Sequence, residues 1–191
     1  MSRGKPLSFD RNAALQKAME LLWRKGYEAT GLTELLEHMG IQRQSFYNTF
    51  GSKEEILFEA IDMYGVNLHS MLKEIIRQGA TPFEKIDCIF EFWTQENIRG
   101  CFIGNCVAEF GVTHDKIATA MDKQLKAIRG IFVPLFEKAI ERGDIPTERD
   151  PVIAARTMLT YGQGLALMNK TKIDRAELVG MVEIMKGSLK Q

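Results

Sequence analysis

Apolar side chains recur at helical spacing along nearly the whole chain. Between Phe9 and Lys25, for example, Leu15, Met19 and Trp23 fall on one stripe of a helix. No segment shows a convincing apolar–polar alternation of the kind that marks a half-buried strand. The pattern predicts an all-α fold, and 191 residues with 45% hydrophobic side chains are enough to bury a core.

Glycines, prolines and capping residues mark where the helices should begin and end. Asp174 with Glu177 has the spacing of a capping box, and Thr81-Pro82 places proline in a first helical turn. The long helices should end by residue 25, 78, 100 and 142, and Pro134 should kink the last of these. A short glycine-bearing segment, residues 101–111, precedes that long helix. The expected helices cover residues 9–25, 31–40, 41–50, 52–78, 81–100, 115–142, 151–169 and 174–189.

Charge is sorted along the chain although the formal net charge is zero. Residues 1–53 hold eight Lys/Arg and five Asp/Glu, a net charge of +3, which leaves −3 for the remainder. A local positive excess can serve a polyanion even when the whole chain is neutral. No apolar run is long enough for a membrane span or a signal peptide, so a cytoplasmic protein without a membrane partner is expected.

Two short helices separated by Gly40-Ile41 have the lengths and the turn of a helix-turn-helix. The outer positions of the second helix carry side chains that match base edges, because Arg reads guanine while Gln and Asn read adenine. Tyr47, Thr49 and Lys53 could bind phosphates, and Arg3 and Lys5 could add contacts from an N-terminal arm. The candidate DNA-binding residues are Thr30, Thr33, Gln42, Arg43, Gln44, Ser45, Tyr47, Asn48, Thr49 and Lys53. Alternatively, these side chains form only the solvated face of a surface helix.

The segment from Ala29 to Leu57 resembles the DNA-binding domain of the TetR/AcrR family, the tetracycline-repressor family of transcriptional regulators. The matching positions are Gly26, Tyr27, Thr30, Glu34, Gly40, Ile41, Tyr47, Phe50, Ser52, Lys53 and Glu54. The resemblance implies a homodimer with about nine helices in each chain. Its helix-turn-helix DNA-binding domain would cover residues 1–53, and its helical ligand-binding and dimerisation domain residues 54–191. Gln42 departs from the family, since Ser or Thr often stands there and Gln is a weaker helix cap.

The second half of the chain offers side chains for a small-molecule inducer. Pockets are mostly apolar with a few polar anchors. A single aromatic residue is more often core than pocket wall, so only the set of them indicates a pocket. The last two helices are apolar nearly all round, which predicts that they form the homodimer interface. The candidate ligand-binding residues are Phe90, Trp93, Phe102, Asn105, Phe110, Met158 and Tyr161, with Phe92, Met168, Thr160, Gln163 and Asn169 as further possibilities.

The favoured function is a ligand-responsive repressor that binds a palindromic operator. One alternative is a thiol-based redox or electrophile sensor on the same scaffold, in which Arg99 lowers the pKa of Cys101 or Cys106. The other is a helical enzyme. No HExxH or similar metal motif occurs, and GQGLAL lacks both the third glycine and the strand of a dinucleotide loop, so no catalytic residue, metal or cofactor is predicted.

Overall fold

The computed structural model describes residues 9–95, 99–111 and 114–190, so the proposed contacts of Arg3 and Lys5 lie outside the described residues. Within these ranges all regular structure is helical, which confirms the predicted all-α class. Nine helices lie in the described residues: α1 (Arg11–Lys25), α2 (Leu32–Met39), α3 (Arg43–Phe50), α4 (Lys53–Ile76), α5 (Pro82–Trp93), α6 (Phe102–Phe110), α7 (Asp115–Glu141), α8 (Pro151–Met168) and α9 (Arg175–Leu189).

Local capping determines most helix starts. The Asp10 side chain accepts the N–H groups of Asn12 and Ala13, and the Ser52 side chain accepts that of Glu55. Such caps satisfy backbone donors that the first turn of a helix leaves unpaired, and each stabilises a helix by about 1 kcal/mol. The predicted capping box at residues 174–177 is confirmed with both of its hydrogen bonds, and the predicted helix start at Thr81 forms a capping box as well.

Three predicted boundaries were wrong. The third helix begins at Arg43 rather than Ile41, because the backbone of Gln42 is extended and this residue is the N-cap. The fifth helix ends at Trp93 and not near residue 100, and residues 102–110 form helix α6 rather than a connecting segment. Cys101 supplies the N-cap of α6, a role that favours Ser, Thr, Asp and Asn and that a cysteine does not signal in a sequence.

Helices α4 and α7 form the centre of the molecule. Helix α4 packs against α1, α3, α5, α6 and α7, while α7 also packs against α5, α6 and α8. Fully buried aromatic rings fill the space between them, among them Phe90, Phe102, Phe132 and Phe136. Helix α4 packs against helices that precede residue 53 and helices that follow it, so its contacts do not separate the chain at this residue. The division into domains of residues 1–53 and 54–191 stays a prediction. No helix in the described ranges is long and apolar enough to cross a membrane.

Candidate nucleic-acid interface and ligand cavity

Helix α3 is held on the protein by two aromatic side chains. Phe46 and Phe50 are almost fully buried, and their ring centroids lie 5.8 Å apart. Because these two residues are one helical turn apart, the opposite side of this short helix must face outward. The fold therefore anchors α3 through apolar contacts and leaves its polar side exposed.

The connection between α2 and α3 is a tight turn at Gly40. This glycine has a φ of +73°, in the left-handed region that residues with a Cβ rarely adopt. The N–H groups of Gly40 and Ile41 both donate to the Leu36 carbonyl oxygen, at 2.9 and 3.2 Å. These bonds close the end of α2 and set the direction in which α3 leaves it.

The outer side of α3 presents planar hydrogen-bonding groups to solvent. Gln42, Arg43, Gln44 and Asn48 are exposed, and Tyr47 is 45% exposed. The Gln44 amide nitrogen donates to Asn48 Oδ1 at 3.0 Å, one turn further along the helix. This bond holds the two amides in a common orientation before any partner arrives. Thr33 on α2 is exposed as well, while Ser45 is half-buried.

Three candidate DNA-binding side chains are engaged inside the protein. Thr30 is fully buried, and its hydroxyl donates to the Gly26 carbonyl oxygen at 2.6 Å. The Thr49 hydroxyl oxygen is buried. The Lys53 ammonium donates to the Tyr27 carbonyl oxygen at 2.6 Å instead of extending into solvent. In this conformation Thr30 and Lys53 are bound within the protein and the Thr49 hydroxyl is buried, so the contacts of these three side chains with DNA stay a prediction.

Two exposed cations of α1 were absent from the sequence-based set. Lys17 has its Nζ 3.8 Å from where a Cβ at Gly40 would stand, beside the turn between α2 and α3. Arg24 is exposed near the end of the same helix. Arg11 and Lys25, in contrast, are paired with Glu59 and Glu34 at 2.7 and 2.6 Å. The polar face of α1 was visible in the sequence, but its position beside the turn was not.

A cavity of about 470 Å³ lies between the two halves of the chain. Protein pockets that bind small molecules typically have volumes of about 300–1,000 Å³. The lining of this cavity is mostly apolar with a few polar side chains. The indole N–H of Trp23 is buried and has no hydrogen-bond acceptor among the described residues. The walls of the cavity come from α1, α4, α5, α7, α8 and the segment before α6. The lining residues are Gln16, Met19, Glu20, Trp23, Tyr64, Asn67, Leu68, Met71, Leu72, Phe92, Trp93, Arg99, Gly100, Cys101, Ile128, Leu159, Gly162, Gln163 and Ala166.

Only Trp93 of the seven candidate ligand-binding residues lines this cavity, although Phe92 and Gln163 do so too. Phe90, Phe102, Phe110 and Met158 are buried in the core, and Tyr161 is half-buried away from the cavity. Asn105 instead contacts neighbouring elements: its amide donates to the Trp23 carbonyl oxygen at 3.5 Å, and its oxygen accepts from Lys170. Six of the seven candidates therefore do not line this cavity, because an apolar pattern does not distinguish a core side chain from a pocket wall, and their role in ligand binding stays a prediction.

The thiols differ in their surroundings. Cys101 lies at the cavity wall, and its Sγ accepts the N–H of Gly104 at 3.4 Å. Cys106 is buried, and burial raises the pKa of its thiol to about 12, with Glu109 as a smaller cause. Burial also raises the pKa of Cys88. A raised pKa keeps a thiol protonated and therefore poorly nucleophilic near pH 7. Within the described ranges, no three His, Cys, Asp or Glu residues are grouped to hold a metal ion.

Comparison with known families decides how this arrangement is classified. The sequence model of bacterial regulatory proteins of the tetR family matches residues 14–60, which include most of α1 and all of α2 and α3. The model of the tetracyclin repressor-like C-terminal domain matches residues 84–185, more than half of the chain. The chain belongs to the TetR family. This confirms the resemblance seen in the sequence and makes the protein a helix-turn-helix transcriptional regulator rather than an enzyme.

Individual TetR-family proteins match over most of the chain. The HTH-type transcriptional repressor ComR of Escherichia coli strain K12 is 31% identical over 176 residues, covering 87% of this chain and 82% of ComR. The HTH-type transcriptional regulator YezE of Bacillus subtilis strain 168 is 27% identical over 188 residues, covering 95% and 96%. The TetR-family regulator CifR, solved as a cysteine mutant complexed with 26-base-pair double-strand operator DNA, superposes with a TM-score of 0.84 at 25% identity, covering 97% of this chain and 100% of CifR.

The cavity of this TetR-family protein spans the two matched regions. Gln16, Met19, Glu20 and Trp23 of its wall lie in the region matched by the N-terminal model, and Trp93 and Gln163 lie in the region matched by the C-terminal model. A molecule in the cavity would therefore touch helix α1 of the helix-turn-helix region as well as the helices of the second half.

Proposed function

We propose that this TetR-family protein represses transcription by binding an operator as a homodimer and leaves the operator when a small molecule fills its cavity. The observation that carries the proposal is the exposed outer side of α3, where Arg43, Gln44 and Asn48 stand together while Phe46 and Phe50 fix the helix from behind. These side-chain types match base edges in the major groove. The operator-bound structure of CifR and the repressor description of ComR support the proposal.

In the proposed complex, Arg43 and the Gln44–Asn48 pair read bases, while Tyr47 and Thr33 bind phosphates at the rim. Gln44 and Asn48 are already hydrogen-bonded to each other, so part of the cost of ordering them has been met before binding. Lys17 adds a cation beside the turn between α2 and α3. Phosphate contacts of this kind supply affinity that does not depend on sequence, and the bases supply specificity.

The homodimer interface is proposed on the outer sides of α8 and α9. Large apolar side chains are exposed there, Ile184 most of all at 73%. Gly164, Gly180 and Gly187 have open space where a Cβ would stand, which lets a second backbone approach closely. Two copies joined through these helices would present two α3 helices to a palindromic operator, with half-sites about one DNA turn or 34 Å apart. The exposed apolar side chains of this patch are Val152, Ile153, Leu167, Val179, Met181 and Ile184.

The proposed ligand of the cavity is a planar, largely apolar molecule. The rings of Trp23 and Tyr64 meet edge to face with centroids 5.1 Å apart at one wall, and Trp93 stands at another. Aromatic walls favour flat ligands through stacking and edge contacts.

In vitro selection of duplex DNA from a random library tests the DNA-binding proposal. The expected result is a palindromic sequence that binds two chains, in proportions measured by sedimentation. Selection of no common sequence by the correctly folded protein would overturn the proposal.

Both tryptophans of the chain line the cavity, so their fluorescence reports its occupancy. The flat probe 2-acetylnaphthalene should change this fluorescence more than the non-planar 2-adamantanone does at equal concentration, and equal changes would contradict a planar ligand.

Regulation through a thiol is a second candidate, favoured by the position of Cys101 at the cavity wall. Cys106 does not suit this role, since its pKa is raised to about 12. Under this candidate, hydrogen peroxide would release operator DNA from the unmodified protein but not from Cys101→Ser, and dithiothreitol would restore binding. A Cys88→Ser variant is the matched control. If Cys101→Ser responds to peroxide as the unmodified protein does, the thiol candidate fails while ligand release through the cavity stands.

A further inference from the structure

One carboxylate of α6 holds the turn between α1 and α2. The N–H of Tyr27 donates to Glu109 Oε2 at 3.0 Å, and the N–H of Glu28 donates to Glu109 Oε1 at 2.7 Å. Each carboxylate oxygen thus accepts one backbone donor of the same turn, more than 80 residues away along the chain. Hydrogen bonds to a charged acceptor are the stronger kind, and the two together fix direction as well as distance.

The surroundings of this Glu109 contact show that the turn and α6 are built against each other. Gly26, with a φ of +88°, places its α-carbon so that an added Cβ would lie 3.3 Å from both carboxylate oxygens. The Tyr27 and Phe110 rings meet edge to face with centroids 5.3 Å apart. From the other side, Lys53 at the start of α4 donates to the Tyr27 carbonyl. The turn is therefore held by α4 and by α6 at once.

The opposite end of α6 belongs to the cavity. Cys101, the N-cap residue of α6, lines the cavity together with Gly100. Midway along the helix, Asn105 donates to the Trp23 carbonyl oxygen and accepts from Lys170, just after α8. A helix of nine residues is a rigid rod about 13 Å long. Helix α6 thus has the cavity at its N-cap residue and the turn of the DNA-binding region at its C-terminal end.

We infer that Glu109 is a positioning residue, which fixes the turn between α1 and α2, and through it α2 and α3, relative to α6. The inference rests on the proposed function, because it explains how occupancy of the cavity would reach the DNA-binding surface. A displacement of α6 by about 1 Å would stretch both bonds beyond hydrogen-bonding distance. The turn must then follow α6 or lose its two partners, and either event changes the orientation of α3 from that which binds DNA.

Amide hydrogen exchange measured by NMR tests the contact directly. Glu109→Ala should raise the exchange rates of the Tyr27 and Glu28 amides by about tenfold or more, because their acceptor is removed. Glu109→Gln, which keeps one oxygen acceptor, should give an intermediate effect. The neighbouring Gly26 amide, which donates to the Leu22 carbonyl within the end of α1, is the internal control and should not change. Unchanged exchange at Tyr27 and Glu28 would overturn the inference.

Operator affinity tests the consequence, with the sequence selected by the unmodified protein as the probe. Glu109→Ala should lower affinity about five- to twentyfold, within the usual range of coupling between sites, without changing the base preference. Glu137→Ala, an exposed glutamate on α7, is the matched control and should bind as the unmodified protein does. Urea unfolding of each variant separates a loss of positioning from a loss of overall stability.

A cavity-filling substitution, Ala166→Leu, replaces the unidentified ligand. Ala166→Leu should lower operator affinity about tenfold in the protein with Glu109 and less than twofold in the Glu109→Ala variant. The second effect is smaller because the Glu109 contact that the substitution would break is already absent. Equal effects in both backgrounds, or no effect in either, would overturn the inference; if Ala166→Leu does not fold, Leu159→Phe takes its place. If the unmodified protein selects no DNA, the proposed function fails, and the exchange experiment still decides whether Glu109 holds the turn.

Discussion

The ammonium of Lys53 is bound to Tyr27 twice over: it donates to the carbonyl oxygen at 2.6 Å and lies 3.9 Å from the centroid of the ring. Lys53 begins α4, and Tyr27 stands in the turn after α1. The sequence suggests that Lys53 contacts phosphate, but in the structure it joins α4 to the turn after α1. The helix-turn-helix is held in place by this pair from one side and by Glu109 from the other.

Replacement of Lys53 by Met should therefore act on stability first. We expect Lys53→Met to lower the free energy of unfolding by about 1–2 kcal/mol, the contribution of a charged hydrogen bond reduced for partial exposure. The salt dependence of operator affinity should not change, because this ammonium is already bound to a carbonyl. Urea unfolding and binding at several salt concentrations measure the two effects, with Lys73→Met, exposed on α4, as the control. Unchanged stability with a slope lower by about one ion per half-site would show instead that Lys53 binds phosphate.

Arg43 should set the preference for one base in each half-site. Arginine reads guanine through two parallel hydrogen bonds, so Arg43→Ala should cost about 1–3 kcal/mol at that base pair and make the other bases more nearly equal there. Binding to single-substitution variants of the selected operator measures the effect position by position. A uniform loss at every position would assign Arg43 to the phosphate backbone.

Lys17 should behave in the opposite way. Its ammonium lies beside the turn between α2 and α3, so Lys17→Ala should weaken binding to all duplexes alike and reduce the salt dependence by about one ion per half-site. Comparison with Arg43→Ala on the same set of duplexes provides the contrast. A loss restricted to one base pair would be inconsistent with a phosphate contact.

Gly162 should be required for the shape of the cavity. A Cβ at this position would lie 2.6 Å from the Trp93 ring, so Gly162→Ala must displace that ring and should lower stability by about 1–3 kcal/mol. Gly130→Ala on α7 is the matched control, because open space surrounds its Cβ position and alanine favours helix by about 1 kcal/mol. Thermal unfolding should therefore shift in opposite directions for the two variants. Equal shifts would mean that the Trp93 ring can move without cost.

Ile184 should be central to the proposed homodimer. Ile184→Glu would bury a charge against the second chain, at a cost that such an interface cannot meet without a partner cation. Sedimentation velocity should show a monomer for this variant. Val66→Glu serves as the control, since Val66 is 65% exposed on α4, outside the α8–α9 patch, and this variant should sediment as the unmodified protein does. A dimer that survives Ile184→Glu would place the interface elsewhere.

Local rules account for what was predictable from the sequence. The capping boxes at Thr81 and Asp174 were visible because every atom they use lies within four residues. The outer side of α3 was visible for a similar reason: Phe46 and Phe50 define its inner side, and helical geometry assigns the remaining positions. The family itself followed from the density of matching residues between Gly26 and Glu54, and it was confirmed over both regions.

Packing between distant segments decided the rest. Trp23 lies in the apolar stripe of α1 that the sequence indicates, yet only the approach of α4, α5 and α8 leaves a space beside it. The sequence suggests that Lys53 binds phosphate, but in the fold its ammonium binds the Tyr27 carbonyl oxygen. Glu109 resembles a surface charge in the sequence, but in the fold it accepts two N–H groups of the turn after α1. The sequence by itself determined most of the helices, the polar side of α3 and the family, because those depend on neighbours along the chain. Which side chains share a cavity, or hold one region against another, depends on neighbours in space, and only the tertiary structure decided that.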